Sequence, residues 1–158
     1  FIDITLGELK SVNVHFVGFV NFSGVHLIHP FSNIITGLMQ AGGINVDGTL
    51  RDIHLIRNGE RIGSIDIYNY LYKGKAINNF RLMDQDIIHV SSRKSTIPIN
   101  GKVLRPGYYE LVDKEKLSDL IRYSGGKDRK SSKSIFIFNK GTTIFKSPFP
   151  NSFFYLVT

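Results

Sequence analysis

From Val12 to Val20 apolar and polar positions alternate, with Val12, Val14, Phe16 and Gly18 on one face. That is the period-two signature of a half-buried strand. Asn21-Phe22-Ser23-Gly24 predicts a tight reversal, because Asn, Ser and Gly favour turns, and Val25 to Ile28 predicts a short return strand. The period then changes: Ile34, Leu38, Met39 and Ala41 share a predicted buried helical face. Ser32 stands where its hydroxyl could cap that helix, and Gly42-Gly43 where glycine ends one without Cβ strain. Asp52 to Arg57 and Arg61 to Ile67 predict a hairpin over Asn58-Gly59. Tyr68 to Tyr72 reads as one or two helical turns stopping at Lys73-Gly74, and Arg81-Leu82 and Asp86 to Val90 as the last extended pieces. A mixed sheet of about five strands with one main helix across a face is the β-grasp arrangement, an α+β fold.

The order then starts again. Ser91 to Ser95 reads as a linker, Thr96 to Val103 as a strand, Leu104 to Gly107 as a turn and Tyr108 to Leu111 as the return strand. Asp113 is the expected cap of a helix burying Leu117, Leu120 and Ile121 and ending at Gly125-Gly126. Ser134 to Asn139 and Thr142 to Lys146 form a hairpin over Lys140-Gly141, and Phe153 to Val157 is a further candidate strand.

The two halves share a spacing as well as an order. Gly18, Gly24, Gly42 and Gly43 recur as Gly101, Gly107, Gly125 and Gly126, each 83 residues on. Val14, Phe16 and Val20 recur as Ile97, Ile99 and Val103, and Ile34 and Leu38 as Leu117 and Ile121. Self-similarity of this length predicts two like units, at residues 8–92 and 96–158 with a linker over 91–95, the eight glycines marking their turns. A counterpart of Asp86 to Val90 would fall past residue 158, so the second unit is expected to be cut short or finished differently.

Taken in order, these motifs resemble the soluble-ligand-binding β-grasp (SLBB) domain, in the tandem form found in bacterial outer-membrane polysaccharide export proteins. Phe16-x-Gly18-x-Val20-x₂-Ser23-Gly24 is similar to V-x-G-x-V-x-x-P-G, and Leu38 to Gly43 to L-x-x-A-G-G. Gly48 to Gly59 is similar to the GSLRNIxLIRNG stretch, Asp66 to Gly74 to DxYxxLxxG, and Arg81 to Val90 to RLxxGDxIxV. Gly101 to Gly107 is similar to GxVxRPG. Ser23 stands where the pattern has Pro, and Gln85 where it has Gly, which leaves two local turns to be settled. The first unit shows the pattern best. The resemblance implies a ring-forming periplasmic and outer-membrane conduit for capsule or exopolysaccharide. Its partners would be other copies of the same protein, the exported polymer and an inner-membrane polysaccharide co-polymerase. This chain would be the periplasmic collar, joined to the outer membrane through parts it does not contain.

Composition adds one asymmetry. Residues 1–92 hold 7 Lys/Arg against 8 Asp/Glu, and residues 93–158 hold 13 against 5, so the net +7 belongs to the second half. Such a bias suits a solvated face, an acidic neighbour or an anionic polymer. Zero cysteines excludes disulfides and thiolate metal sites. No apolar run approaches the roughly 20 residues of a membrane span. The chain opens on Phe1 with no basic or signal-like segment, as expected of a fragment or a processed product.

No catalytic constellation is visible, and an enzyme is not expected. His26 and His29, if extended, point to opposite faces, and no metal or cofactor is expected. Asp84 and Asp86 read as turn carboxylates accepting backbone amides. The glycine pairs follow helices, which removes the phosphate-cradling logic of a helix N-terminus. Nucleic acid is not an expected partner, because there is neither an Arg-rich groove-reading helix nor a stacking sheet. The candidate ligand residues are Arg105, Tyr108 and Tyr109 with the basic cluster Lys127, Arg129 and Lys130. Tyr68, Tyr70 and Tyr72 are read as packing and surface groups. The alternative to a conduit module is a soluble carbohydrate- or small-ligand-binding domain outside any ring.

Overall fold

The computed structural model describes residues 10–76, 80–101, 103–126, 134–139 and 142–148. Packing divides the chain into two compact units, Phe1–Lys94 and Ser95–Thr158.

The first unit runs β1 (Val12–Gly18), β2 (Gly24–Ile28), α1 (Ile34–Gln40), β3 (Gly48–Arg57), β4 (Glu60–Ile65), α2 (Ile67–Lys73) and β5 (Asp86–Ser92). Its five strands form one sheet in the order β2-β1-β5-β3-β4. The last strand in sequence is thus the central one, parallel to β1 and antiparallel to β3. Strand alternation sends Val14, Phe16, Ile53, Leu55, Ile88 and Val90 to one face, where Ile34, Leu38 and Ala41 of α1 and Leu82 close the core. Burying each such side chain is worth about 1.5–3 kcal/mol. Gly37 lets the helix approach closely, since a Cβ there would press on Leu82 and Phe16.

Local chemistry departs from expectation at several points. Asn33, not Ser32, caps α1: its side chain accepts from the Thr36 amide (3.0 Å) while Thr36 Oγ1 accepts from the Asn33 amide (2.9 Å). Ser32 is used otherwise, its carbonyl accepting from the Leu82 amide. Met39 is exposed rather than buried, standing about 100° further round the helix than Leu38. Ile67 opens α2 instead of ending β4, because the Asp66 carboxylate accepts the Tyr68 and Asn69 amides. Ser91 and Ser92 belong to β5 rather than to a linker, Ser92 pairing with Gly48. Gln85, which stands where the resembled pattern has Gly, takes a left-handed conformation at φ 65°. Its side-chain oxygen meets His15 Nε2 at 3.1 Å.

Two part-buried ion pairs explain both arginines of the Gly48 to Gly59 stretch. Arg57 grips Asp86 with two bonds, Nε to Oδ1 at 2.7 Å and Nη2 to Oδ2 at 2.8 Å. Asp86 is fully buried and also accepts the Met83 amide. The Asp86 hydrogen bonds raise the Arg57 pKa above its ordinary value. Arg51 holds Asp66 in the same forked way, at 2.9 and 3.0 Å, and lies over the Tyr68 ring. The neighbouring Asp84 accepts from the Asn13 amide at 2.8 Å, and that bond, ahead of those from the Gln85 and Asn13 side chains, lowers its pKa. Asp86 thus accepts an amide of its own turn, as expected, while Asp84 instead fastens the turn to Asn13 of β1.

The second unit runs β6 (Thr96–Ile99), β7 (Gly107–Glu110), α3 (Leu117–Tyr123), β8 (Ser134–Asn139) and β9 (Thr142–Pro148). β6 pairs Thr96 with Glu110, Ile97 with Tyr109, Pro98 with Tyr108 and Ile99 with Gly107. Each pair is a β1–β2 pair moved by 83: Asn13 with Leu27, Val14 with His26, His15 with Val25, Phe16 with Gly24. The bounds of α3 are those of α1 moved by the same 83. The β8–β9 hairpin repeats β3–β4 at an offset of 82, including the register shift at Leu55/Ile56, which recurs at Ile137/Phe138. Among the described residues, no strand joins β6 to β8 as β5 joins β1 to β3.

Here too the cap differs. Asp113 lies in a turn, and the Asp119 carboxylate accepts the Lys116 amide at 2.9 Å, as Thr36 does for Asn33. Leu120 is buried, Leu117 and Ile121 are half-buried, and Tyr123, which the apolar pattern passed over, is fully buried. Of the eight repeat glycines, all but Gly107 take positive φ. The candidate strand Phe153 to Val157 lies outside the described residues.

Replacing Asp86 by Ala should lower unfolding stability in urea by about 3–5 kcal/mol, because Arg57 would lose its counter-charge in a partly buried site. Gly18 ends β1 at φ 80°, and a Cβ there would overlap the Val90 carbonyl oxygen. Gly18→Ala should therefore cost more than about 2 kcal/mol. Gly59→Ala, equally left-handed but in open space, should cost only about 1 kcal/mol. Equal losses at the two glycines would mean that the close approach carries no energy.

Candidate functional site

The turn after β6 and the turn after α3 meet. Arg105 N–H donates to the Ser124 carbonyl (2.8 Å) and Leu104 N–H to that of Gly126 (3.2 Å). Gly125 and Gly126 both sit at φ 81°, which lets their amides turn back onto Arg122 and Ile121 of the last helical turn. The Arg105 side chain lies over Gly125, where a Cβ would come within 3.3 Å of Nε. The first unit builds the same corner from the same bonds. Phe22 N–H donates to Ala41 and Asn21 N–H to Gly43, each at 3.0 Å, and the Phe22 ring lies over Gly42.

The second corner carries the described members of the candidate ligand set. Arg105 is exposed at the tip of the turn. Tyr108 presents its ring to solvent at 71% exposure. Tyr109 does not, because strand alternation turns it inward to 7% exposure and its hydroxyl donates to the Arg105 carbonyl at 2.6 Å. It is a brace for the turn, and its burial follows from its register opposite Ile97. Lys127, Arg129 and Lys130 lie outside the described residues. One cation was missed: Arg122, in the last turn of α3, is about half exposed and donates to Asp119 Oδ1 at 2.6 Å. Its place three residues before Gly125 was a usable signal.

A second polar cluster lies on the sheet face turned away from α1. His54 of β3 and His89 of β5 are cross-strand partners whose rings stack at 5.9 Å and 4°. His54 Nε2 meets Asp52 Oδ2 at 3.1 Å, Ser91 Oγ is within 3.5 Å, and Arg61 reaches the other Asp52 oxygen. Nδ1 of His54 is buried without a partner. Burial outweighs the Asp52 charge and lowers the His54 pKa, with Arg61 and His89 acting in the same direction as burial. Among the described residues, no three His, Asp or Glu side chains converge as metal ligands. His26 and His29 do not converge either: His26 bonds the Phe22 carbonyl and His29 packs on Phe31. Tyr68 is buried, Tyr72 packs edge-on against it, and Tyr70 is exposed.

Comparison with known proteins bears on both units. Residues 96–146, from β6 into β9, match the family model of the SLBB domain. The match thus falls on the second unit, although the first carries the fuller set of motifs. Two curated proteins, each the polysialic acid transport protein KpsD of Escherichia coli, are 28% identical over 109 residues. That similarity covers 68% of this chain, more than the second unit contains, so it extends into the first. It covers 19% of the relatives, so the chain spans about a fifth of their length. No helix among the described residues is long and apolar enough to cross a membrane.

His54 sets a pH dependence. Its folded pKa lies below the ordinary 6.5, so the unfolded chain binds the proton more readily. Stability should be highest above that value and fall as pH drops through 6.5 and on past the folded pKa. His54→Gln should flatten the urea midpoint over that interval; an unchanged slope would remove His54 as the cause.

Proposed function

We propose that this chain is a non-enzymatic structural and binding module of a polysaccharide export conduit, formed of two tandem SLBB units. The observation that carries this is the bond-for-bond repeat. The unit that matches the SLBB family and the unit before it share strand register, helix bounds, turn bonds and a hairpin irregularity. Similarity to a polysialic acid transport protein across both units supports the choice of cargo class. The polymer would pass through the opening of a homo-oligomeric ring, beneath the outer membrane in the periplasm, with an inner-membrane co-polymerase delivering it.

Nothing in this role needs bond-making chemistry. What it needs is a firm repeated unit with surfaces that can differ between copies, and the first unit's part-buried Arg57–Asp86 and Arg51–Asp66 pairs support such a unit by tying its strands and turns together.

The test uses the whole protein that carries this chain. Mass photometry of the detergent-extracted protein should give a closed oligomer, and its deletion should leave polysaccharide inside the cell. A monomer whose loss has no effect on surface polysaccharide would discard the conduit and favour a free-standing sugar-binding domain.

A further inference from the structure

The two corners share a backbone and differ in what they display. In the first unit the positions around the paired turns are apolar and exposed: Phe19, Phe22, Met39 and Val46. Moved by 83, these positions are Lys102, Arg105, Arg122 and Arg129. All four exposed hydrophobes become cations. Lys102 and Arg129 lie outside the described residues, so the geometry rests on the other two.

Those two are placed alike in both units. Residue 22 or 105 donates its amide to the residue just past the helix and lays its side chain over the first glycine of the pair. Residue 39 or 122 offers its carbonyl to that same glycine's amide. The Arg105 guanidinium and the Arg122 backbone are therefore tied to one glycine, Gly125. Arg122 gives one bond to Asp119, which leaves further donors on its five-donor fork. A fork of this kind recognises carboxylates in pairs of parallel bonds.

We infer that the corner of the second unit formed by Arg105, Arg122 and Gly125 is a binding site for a carboxylate-bearing acidic glycan, while the matching corner of the first unit has no such capacity. The inference rests on the reading of the chain as a polysaccharide export module and gives that module a cargo chemistry. Two features favour a polyanion over an isolated small ion. Arg105 is exposed at the corner. The chain that leaves it at Gly126 carries Lys127, Arg129, Lys130 and Lys133 within seven residues. Extended polymers suit such surfaces because weak contacts add along their length.

The internal repeat provides the control. Fluorescently labelled oligosialic acid, neutral dextran of equal length and a single-stranded oligonucleotide are titrated into the 158-residue chain at low and physiological salt. The wild-type chain should bind oligosialic acid, less tightly as salt rises, and ignore dextran. R105F/R122M, which writes the first unit's residues into the second, should bind oligosialic acid about tenfold more weakly. F22R/M39R, the reverse exchange, should gain several-fold. Thermal unfolding of both variants shows that the corner still forms, and R105K/R122K checks charge without the fork.

Unchanged affinity in R105F/R122M overturns the inference, as does oligonucleotide binding equal to or tighter than that of the glycan, which would make the corner a general polyanion contact. Either result leaves the conduit reading standing if secretion still depends on the protein. Loss of secretion dependence with glycan binding intact would do the reverse.

Discussion

A carboxylate with no access to water holds the first unit together. Asp86 begins β5, the strand that arrives last in sequence and lies in the middle of the sheet. Until it inserts, β1–β2 and β3–β4 are two separate hairpins. Arg57 reaches from the end of β3 to close a forked pair on Asp86, and the Met83 amide completes the anchor. The register of β5 against both neighbours is set there, because Asp86, Ile88 and Val90 share one face, and a slip of one residue would take the carboxylate away from Arg57 and both apolar side chains off the core together. Buried pairs of this kind add little net energy compared with a well-packed apolar substitute, but they penalise every arrangement that separates the partners.

Among the described residues, the second unit shows no counterpart of that anchor. Asn139 and Pro148 stand where Arg57 and Asp66 stand in the first unit, on the hairpin offset of 82. Its β6–β7 and β8–β9 hairpins have the registers of β1–β2 and β3–β4, as turn chemistry and cross-strand pairing acting locally would give.

Much of this was legible in the residues. The alternation of Val12 to Gly18, the Asn58-Gly59 turn and the glycine pairs name their elements almost directly, because each rests on a local rule of sterics. The 83-residue period predicted order, and the registers of the paired strands follow it too, since side-chain period and turn length together determine which residues face one another. What escaped was tertiary. Asn33 caps α1 because the helix starts one residue later than Ser32 would set it, and at α3 Asp119, three residues inside the helix, reaches back to the Lys116 amide while Asp113 lies in the preceding turn. Met39 and Ile121 sit at helix edges, where a seven-residue helix leaves little stripe to read. Tyr108 and Tyr109 look alike in sequence, and only the pairing of β7 with β6 separates them, turning Tyr109 inward and leaving Tyr108 exposed. Gln85 in a glycine's conformation had no signal beyond its departure from the family pattern.

The paired-turn corner is built almost wholly from main-chain amides and carbonyls, so the fold asks nothing of the side chains at residues 22, 39, 105 and 122 beyond avoiding proline where an amide must donate. After a duplication, such a position is free to drift in each copy separately. A few single-codon changes can turn a greasy knob into a cationic one with no loss of foldedness, and selection can then act on the two copies as if they were different genes. A conduit assembled from units like these could be retuned to a new polymer from its surface inward, without rebuilding the frame that holds it open.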